Sequence, residues 1–112
     1  MNALPGIGGL TDRVELQRKT TTTEDEGGHA VVYAPAGSLW ARVRALGVSQ
    51  SLAADARTAA ASHSVVIRHR GGVMPGDRFV YRGRRLEVLS TEDMSGRRQF
   101  LACRCAERRT TG

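Results

Sequence analysis

Few residues of this chain stand in an arrangement that could carry out a reaction. Ser62-His63-Ser64 places hydroxyls beside an imidazole, which is the pairing that an activated nucleophile requires. Because adjacent residues of a strand face opposite sides, we expect these side chains to be kept apart. The sequence therefore predicts no enzyme activity and no cofactor.

Metal and phosphate sites find equally little support in the sequence. The acidic runs at residues 24–26 and 92–93 offer oxygen ligands, but loop carboxylates are usually solvated. The glycine-rich stretch 6–10 follows no strand and lacks the lysine of a phosphate loop. Cys103 and Cys105 fall on one face of a predicted strand, without further ligands at a recognisable spacing. We expect two small buried thiols and no bound metal.

Charge is distributed unevenly along the 112 residues. Residues 1–56 hold five Arg or Lys against six Asp or Glu, whereas residues 57–112 hold twelve against five. A basic half indicates an anionic partner, either nucleic acid or an acidic protein surface. Sixteen of the seventeen basic residues are arginine, so genome composition explains part of this bias.

The second half of the chain has the pattern of a β-meander. Met74-Pro75-Gly76-Asp77 suits a type II turn, and Arg82-Gly83-Arg84 suits a tight hairpin. Short apolar runs alternate with these turns. The predicted strands cover residues 64–68, 78–81, 86–90 and 99–106, with a polar connection over residues 91–97. Short links between such strands indicate a mainly β fold, a small antiparallel β-barrel.

The first half is less regular. Residues 12–18 predict a first strand, and residues 39–46 predict a second, although the side of it that faces inward stays open at Trp40. Residues 20–37 between them are expected to form a long loop, which points to a functional segment. Within it residues 20–23 could extend the first strand, and residues 30–33 could pair briefly before Pro35 and Gly37. An alanine-rich stretch at residues 49–61 predicts one short helix.

The expected organisation is one domain over residues 12–107. A flexible N-terminal segment over residues 1–11 and a flexible tail over residues 108–112 would flank it. Apolar residues occur on both faces of the strands around Val66 and Leu101, which indicates that other chains cover part of the outer surface. No apolar run approaches membrane-spanning length, so no membrane partner is expected.

Clustered arginines predict a basic rim on the barrel. One hairpin and the mouth of the next loop would supply them, and the rim would bind phosphates or an acidic partner protein. The residues of this rim are Arg82, Arg84, Arg85, Arg97 and Arg98.

The order of these segments resembles a known family. A leading strand at residues 10–17, Glu26-Gly27-Gly28, Leu39-Trp40-Ala41-Arg42-Val43 and a short helix are followed by Val66-Ile67-Arg68, Gly76-Asp77-Arg78-Phe79 and Gly83-Arg84-Arg85-Leu86. Over roughly residues 10–107 this set is similar to the head–tail joining proteins of tailed phages. These are also called head completion or stopper proteins, and they occur in gene transfer agents too.

The resemblance implies a structural protein of a virion or gene transfer agent particle, assembled in the bacterial cytoplasm. It implies a ring of identical subunits in the neck, between portal or adaptor proteins of the head and tail terminator or tail tube proteins. In relatives, the loop after the first strand reaches into the channel and retains the packaged double-stranded DNA. The matching candidates are Glu24, Asp25, Glu26, Gly27, Gly28, His29 and Tyr33.

A second reading of the residues is a free, small-barrel nucleic-acid-binding protein. It predicts that the isolated monomer binds duplex DNA or RNA through the arginines and weakens steeply with salt.

Overall fold

Residues 9–23, 27–47, 61–70, 72–94, 96–97 and 99–108 are described by the computed structural model. They form six antiparallel strands that close into a barrel in the order β1-β2-β3-β6-β5-β4. The strands are β1 (Asp12–Thr23), β2 (His29–Ala45), β3 (His63–Arg68), β4 (Arg78–Tyr81), β5 (Arg84–Asp93) and β6 (Phe100–Arg108). The predicted mainly β fold is confirmed.

The barrel core follows the period-two pattern of the strands. Its largest fully buried side chains include Phe79, Leu16, Ile67 and Leu86, each from a different strand. Phe79 lies opposite both Leu16 of β1 and Leu86 of β5, so the short strand β4 closes the barrel with a shared inner row. Inward positions therefore carry the apolar burial that stabilises the domain.

The sequence left undecided which side of β2 faces inward, and the burial of its side chains decides it. Ala41 is fully buried, and Leu39 and Val43 pack against the core. Trp40 points outward and is 56 % exposed, with the Arg13 guanidinium 4.8 Å from its ring centre. The largest apolar side chain of the chain is thus on the surface.

Part of the outer apolar surface is covered by the chain itself. Leu10 packs on Val66 and Phe100, with Met94 and Ala102 at the edge of this cluster. Leu10, just before β1, thus supplies cover for β3 and β6 that was expected from other chains.

The long loop expected after the first strand is replaced by a hairpin. β1 runs on to Thr23 and β2 begins at His29, with continuous pairing from Thr23↔His29 to Gln17↔Pro35. Threonines favour extended backbone, and Pro35 lies where no strand pairs with the outer edge of β2 among the described residues. Gly37, with φ of 105°, occupies the bulge opposite Leu16.

The helix predicted over residues 49–61 falls, apart from Ala61, outside the described residues. Among those that are described, no helix is long and apolar enough to cross a membrane.

Candidate functional site

The extension of β1 and β2 beyond the barrel is the most prominent surface feature. Pairing of β1 with β4 ends at Gln17↔Arg78, while pairing of β1 with β2 continues to Thr23↔His29. We call residues 18–23 together with residues 29–35 the ribbon. At about 3.3 Å per residue, its six β1 residues reach about 20 Å past the barrel wall. The long axis of the molecule measures 52 Å against 30 and 27 Å for the others.

Asp77 fixes the base of the ribbon. Its Oδ1 accepts a hydrogen bond from the backbone N–H of Lys19 at 3.0 Å, and its Oδ2 accepts one from the N–H of Met74 at 3.0 Å. The side chain of Asp77 is buried. The backbone N–H of Asp77 donates to the Met74 carbonyl, which closes the predicted type II turn. One carboxylate therefore joins the turn between β3 and β4 to the first residues of the ribbon.

Tyr33 anchors the other strand of the ribbon to the same turn. Its hydroxyl donates to the Gly76 carbonyl at 3.1 Å, and the Arg78 guanidinium lies 3.8 Å from the centre of its ring. Arg78 in turn donates to Gln17 at 2.5 Å. Tyr33, the one bulky residue of the predicted gating segment, is thus a half-buried anchor at the ribbon's base.

Two glycines of the turn lie next to the first residues of the ribbon. Arg18 donates to the Gly72 carbonyl at 2.8 Å, and a Cβ on Gly72 would lie 2.6 Å from the Arg18 guanidinium. Gly76 has φ of 99° and would bring a Cβ within 3.1 Å of the Lys19 side chain. Positive φ at both positions favours glycine, whereas the flexible side chains of Arg18 and Lys19 would move aside for a Cβ at little cost. The base of the ribbon is therefore held through Arg18, Lys19 and Tyr33 by three residues of the loop between β3 and β4.

The outer half of the ribbon is exposed and uncharged as far as it is described. Thr20 donates to the Val32 carbonyl at 2.9 Å, and Val31 and Val32 are 54 % and 46 % exposed. Glu24, Asp25 and Glu26 lie outside the described residues; Gly27 and Gly28 are exposed in the connection, and only the backbone of His29 is described. The cations of the ribbon, Arg18 and Lys19, therefore lie at its base, and the described side chains of its outer half, residues 20–23 and 30–32, include none.

The predicted basic rim is divided between the two ends of the barrel. Arg82 and Arg84 are exposed at the turn between β4 and β5, and Arg85 is half-buried beside Arg108 of β6. Arg97 follows the far end of β5, about 30 Å away along a ten-residue strand. The single rim expected from sequence is wrong, because β5 separates its members; Arg98 lies outside the described residues.

The end of the barrel that carries Arg82, Arg84 and Arg85 also carries a negative charge. Arg108 donates to Glu87 at 2.7 Å in an exposed ion pair.

Arg82 has φ of 49° and lies with its guanidinium 5.2 Å from the Tyr81 ring centre, and Gly83 has φ of 80°. Two consecutive positive φ values make this the two-residue turn of a tight hairpin, as predicted.

Ser62 and His63 are in contact, which the sequence did not predict. The hydroxyl of Ser62 lies 2.8 Å from Nδ1 of His63 and accepts a hydrogen bond from the Glu107 N–H at 2.8 Å. Ser62 precedes β3, so strand alternation does not apply to it. This hydroxyl ties the start of β3 to the end of β6.

The two cysteine thiols and the candidate metal ligands show no sign of reactivity or of a metal site among the described residues. Burial raises the pKa of the Cys103 thiol to about 12 and raises the pKa of Cys105 further, so both remain protonated and free. The described residues contain no cluster of three or more side chains suited to a metal ion.

Comparison with known proteins places these features in context. The phage head completion protein family matches the chain over residues 6–108. No curated protein matches it.

Solved structures that share the fold include a protein from a bacterium and a chain of a virion particle. The solution structure of protein SF1141 from Shigella flexneri 2a is 23 % identical, with a TM-score of 0.74 over 92 % of this chain and 96 % of that one. A chain from the virion of a native gene transfer agent particle is 21 % identical, with a TM-score of 0.66 over 88 % and 94 %.

Proposed function

Because this chain belongs to the phage head completion protein family, a family of structural virion proteins, we propose that its copies form a ring in the particle's neck. That ring would join the portal or adaptor proteins of the head to the terminator or tube proteins of the tail. In it the ribbon would reach toward the channel and retain the packaged double-stranded DNA. The observation that carries the proposal is the ribbon clamped at Asp77 and Tyr33.

Retention would be steric. The outer half of the ribbon, residues 20–23 and 30–32, offers a duplex no cation, and the connection between its two strands has the acidic sequence Glu24-Asp25-Glu26. The clamp at the base would keep the ribbon's direction, and the uncharged side chains of its outer half would let DNA pass without binding when the tail opens the channel.

Ring formation is supported by surface that a solitary subunit leaves uncovered. Val31, Val32 and Met74 are large apolar side chains with roughly half or more of their surface exposed. Closed, head-to-tail association of identical subunits would bury such residues without leaving an open end.

A shortened ribbon tests retention separately from assembly. Residues 22–30 are replaced by Asn-Gly, which can join the paired residues Thr21 and Val31 in a two-residue turn and leaves the clamp intact. Particles are scored for nuclease-protected DNA and for attached tails. The proposal expects normal rings and leaking heads.

A matched control keeps the ribbon's length and removes the negative charge of residues 24–26, which connect its strands. The variant Glu24→Gln, Asp25→Asn, Glu26→Gln should retain DNA if the barrier is steric. Heads that stay full with the shortened ribbon would contradict the gating role. Absence of the chain from the neck would contradict the ring role.

Free nucleic-acid binding remains the second candidate, favoured by the exposed Arg82 and Arg84 beside Arg85. The division of the basic residues between two ends argues against a continuous track for a duplex. Filter binding by the isolated protein at rising salt separates the two candidates, since a connector subunit should bind duplex DNA weakly.

A further inference from the structure

The cleft where β2 leaves β3 has the features of a peptide-binding groove. β2 pairs with β3 only from Ala41 onward, and no strand pairs with that edge of β2 before Ala41 among the described residues. The gap opens into a cavity of about 960 Å³ lined by residues of β2, the end of β3 and the segment before β1.

The floor of the cleft is apolar. Leu10, Leu39 and Ile67 line it, and Trp40 stands at its side with 56 % of its surface exposed. The indole N–H of Trp40 has no hydrogen-bond partner among the described residues. An apolar side chain and a hydrogen-bond acceptor would both find complements here.

The rim of the cleft is cationic and uncompensated. Arg13, Arg68 and Arg70 line it with His69, and none of the three arginines forms an ion pair with a carboxylate of the described residues. Arg13 lies directly across from Trp40 in the ladder, so the aromatic ring and the charge share one surface. This charge excess favours a carboxylate-bearing partner.

We propose that this cleft binds an extended, acidic polypeptide segment of a partner protein, added as a strand to the free edge of β2. Main-chain hydrogen bonds to β2 would supply register, apolar side chains would fill the floor, and alternate carboxylates would reach the arginines. Duplex DNA fits less well, since phosphates gain nothing from an apolar floor or an unpaired strand edge.

Trp40 is the only tryptophan of the chain, so its emission reports on the cleft directly. Purified protein is titrated with a synthetic peptide that alternates glutamate and valine, and its emission is followed with the anisotropy of a label on the peptide. We expect saturable binding with an emission shift. We expect no binding of a peptide with lysine in place of glutamate, or of one methylated at alternate backbone nitrogens.

Paired variants locate the site. Arg68→Gln with Arg70→Gln should weaken peptide binding about tenfold, from two lost ion pairs. Arg82→Gln with Arg84→Gln removes equal charge at the other end and should leave the affinity unchanged. Thermal unfolding of both variants checks that the barrel is intact.

Several outcomes would overturn the proposal. Equal weakening by both variants, or equal binding of polyglutamate, would show an unspecific charge effect. Duplex DNA that shifts Trp40 emission while the peptide does not would assign the cleft to nucleic acid. Emission that changes with protein concentration alone would assign it to a second copy. None of these results depends on ring formation or DNA retention.

Discussion

Asp77 and Lys19 are separated by 58 positions in sequence, yet the Asp77 carboxylate accepts the Lys19 backbone N–H at 3.0 Å. This bond lies where β1 leaves the barrel, and the other oxygen of the same carboxylate holds the turn at Met74. The direction of the ribbon is therefore coupled to the turn between β3 and β4.

Removal of this carboxylate should loosen the ribbon. Asp77→Ala leaves two backbone donors without their acceptor, which should lower the free energy of unfolding by about 3 kcal/mol. Denaturant unfolding measures the loss, and amide exchange at Lys19 should accelerate more than exchange in β6. Glu92→Ala, an exposed carboxylate on β5, is the control and should change stability little. Unchanged exchange at Lys19 in Asp77→Ala would show that the clamp does not hold the ribbon.

The hydroxyl of Tyr33 should contribute separately from its ring. Tyr33→Phe removes the bond to the Gly76 carbonyl and keeps the stacking with Arg78, at a cost of about 1 kcal/mol. Tyr33→Ala loses both contacts and should cost more. If the two variants unfold at the same denaturant concentration, the contact with Arg78 contributes nothing.

A substitution in the hairpin between β4 and β5 should raise the stability of the protein. Arg82 adopts φ of 49°, which asparagine accepts more readily, and Asn-Gly is the preferred pair for this turn. Arg82→Asn should therefore raise the free energy of unfolding by about 0.5 kcal/mol. Thermal melts at matched salt measure the change. A lower melting temperature would mean that stacking of Arg82 on Tyr81 outweighs the backbone preference.

The thiols in β6 should make the free energy of unfolding depend on pH in the alkaline range. Burial raises the pKa of Cys103 from an ordinary 9.0 to about 12, so the folded chain keeps a proton that the unfolded chain releases. The stabilisation of the folded state by this proton is complete below pH 9 and is lost as pH rises toward 12. Unfolding free energies across this range should fall less steeply in Cys103→Ala. A slope identical to that of the parent protein would contradict the assignment.

The same burial predicts inert cysteines. A thiol reagent at pH 8 should label neither Cys103 nor Cys105 until the barrel unfolds, because the reactive thiolate is scarce. Rapid labelling of the folded protein would place a thiol at the surface.

Much of the barrel could be predicted from the sequence because local chemistry dictates it. The turn at Gly76 and the hairpin at Gly83 are both found as predicted, since each needs positive φ where glycine stands. The alternation of Leu86 and Val88 likewise gave the inner face of β5. In each case the signal lies within a few residues.

The ribbon was missed because its determinants are not local. Proline and glycine usually interrupt strands, but here no strand of the described residues pairs with the edge beside Pro35, and Gly37 lies in a bulge. The clamp at Asp77 joins parts of the chain whose proximity depends on barrel closure. The division of Arg82 from Arg97 follows from the length of β5, since a strand carries its two ends to opposite sides of the molecule.

Cryo-electron microscopy of the neck in purified particles tests the central claim most directly. The account predicts a closed ring of this chain between head and tail proteins, with residues 18–23 and 29–35 of each copy directed at the DNA channel. A neck that lacks the chain, or a ring whose ribbons all point away from the channel, would contradict it.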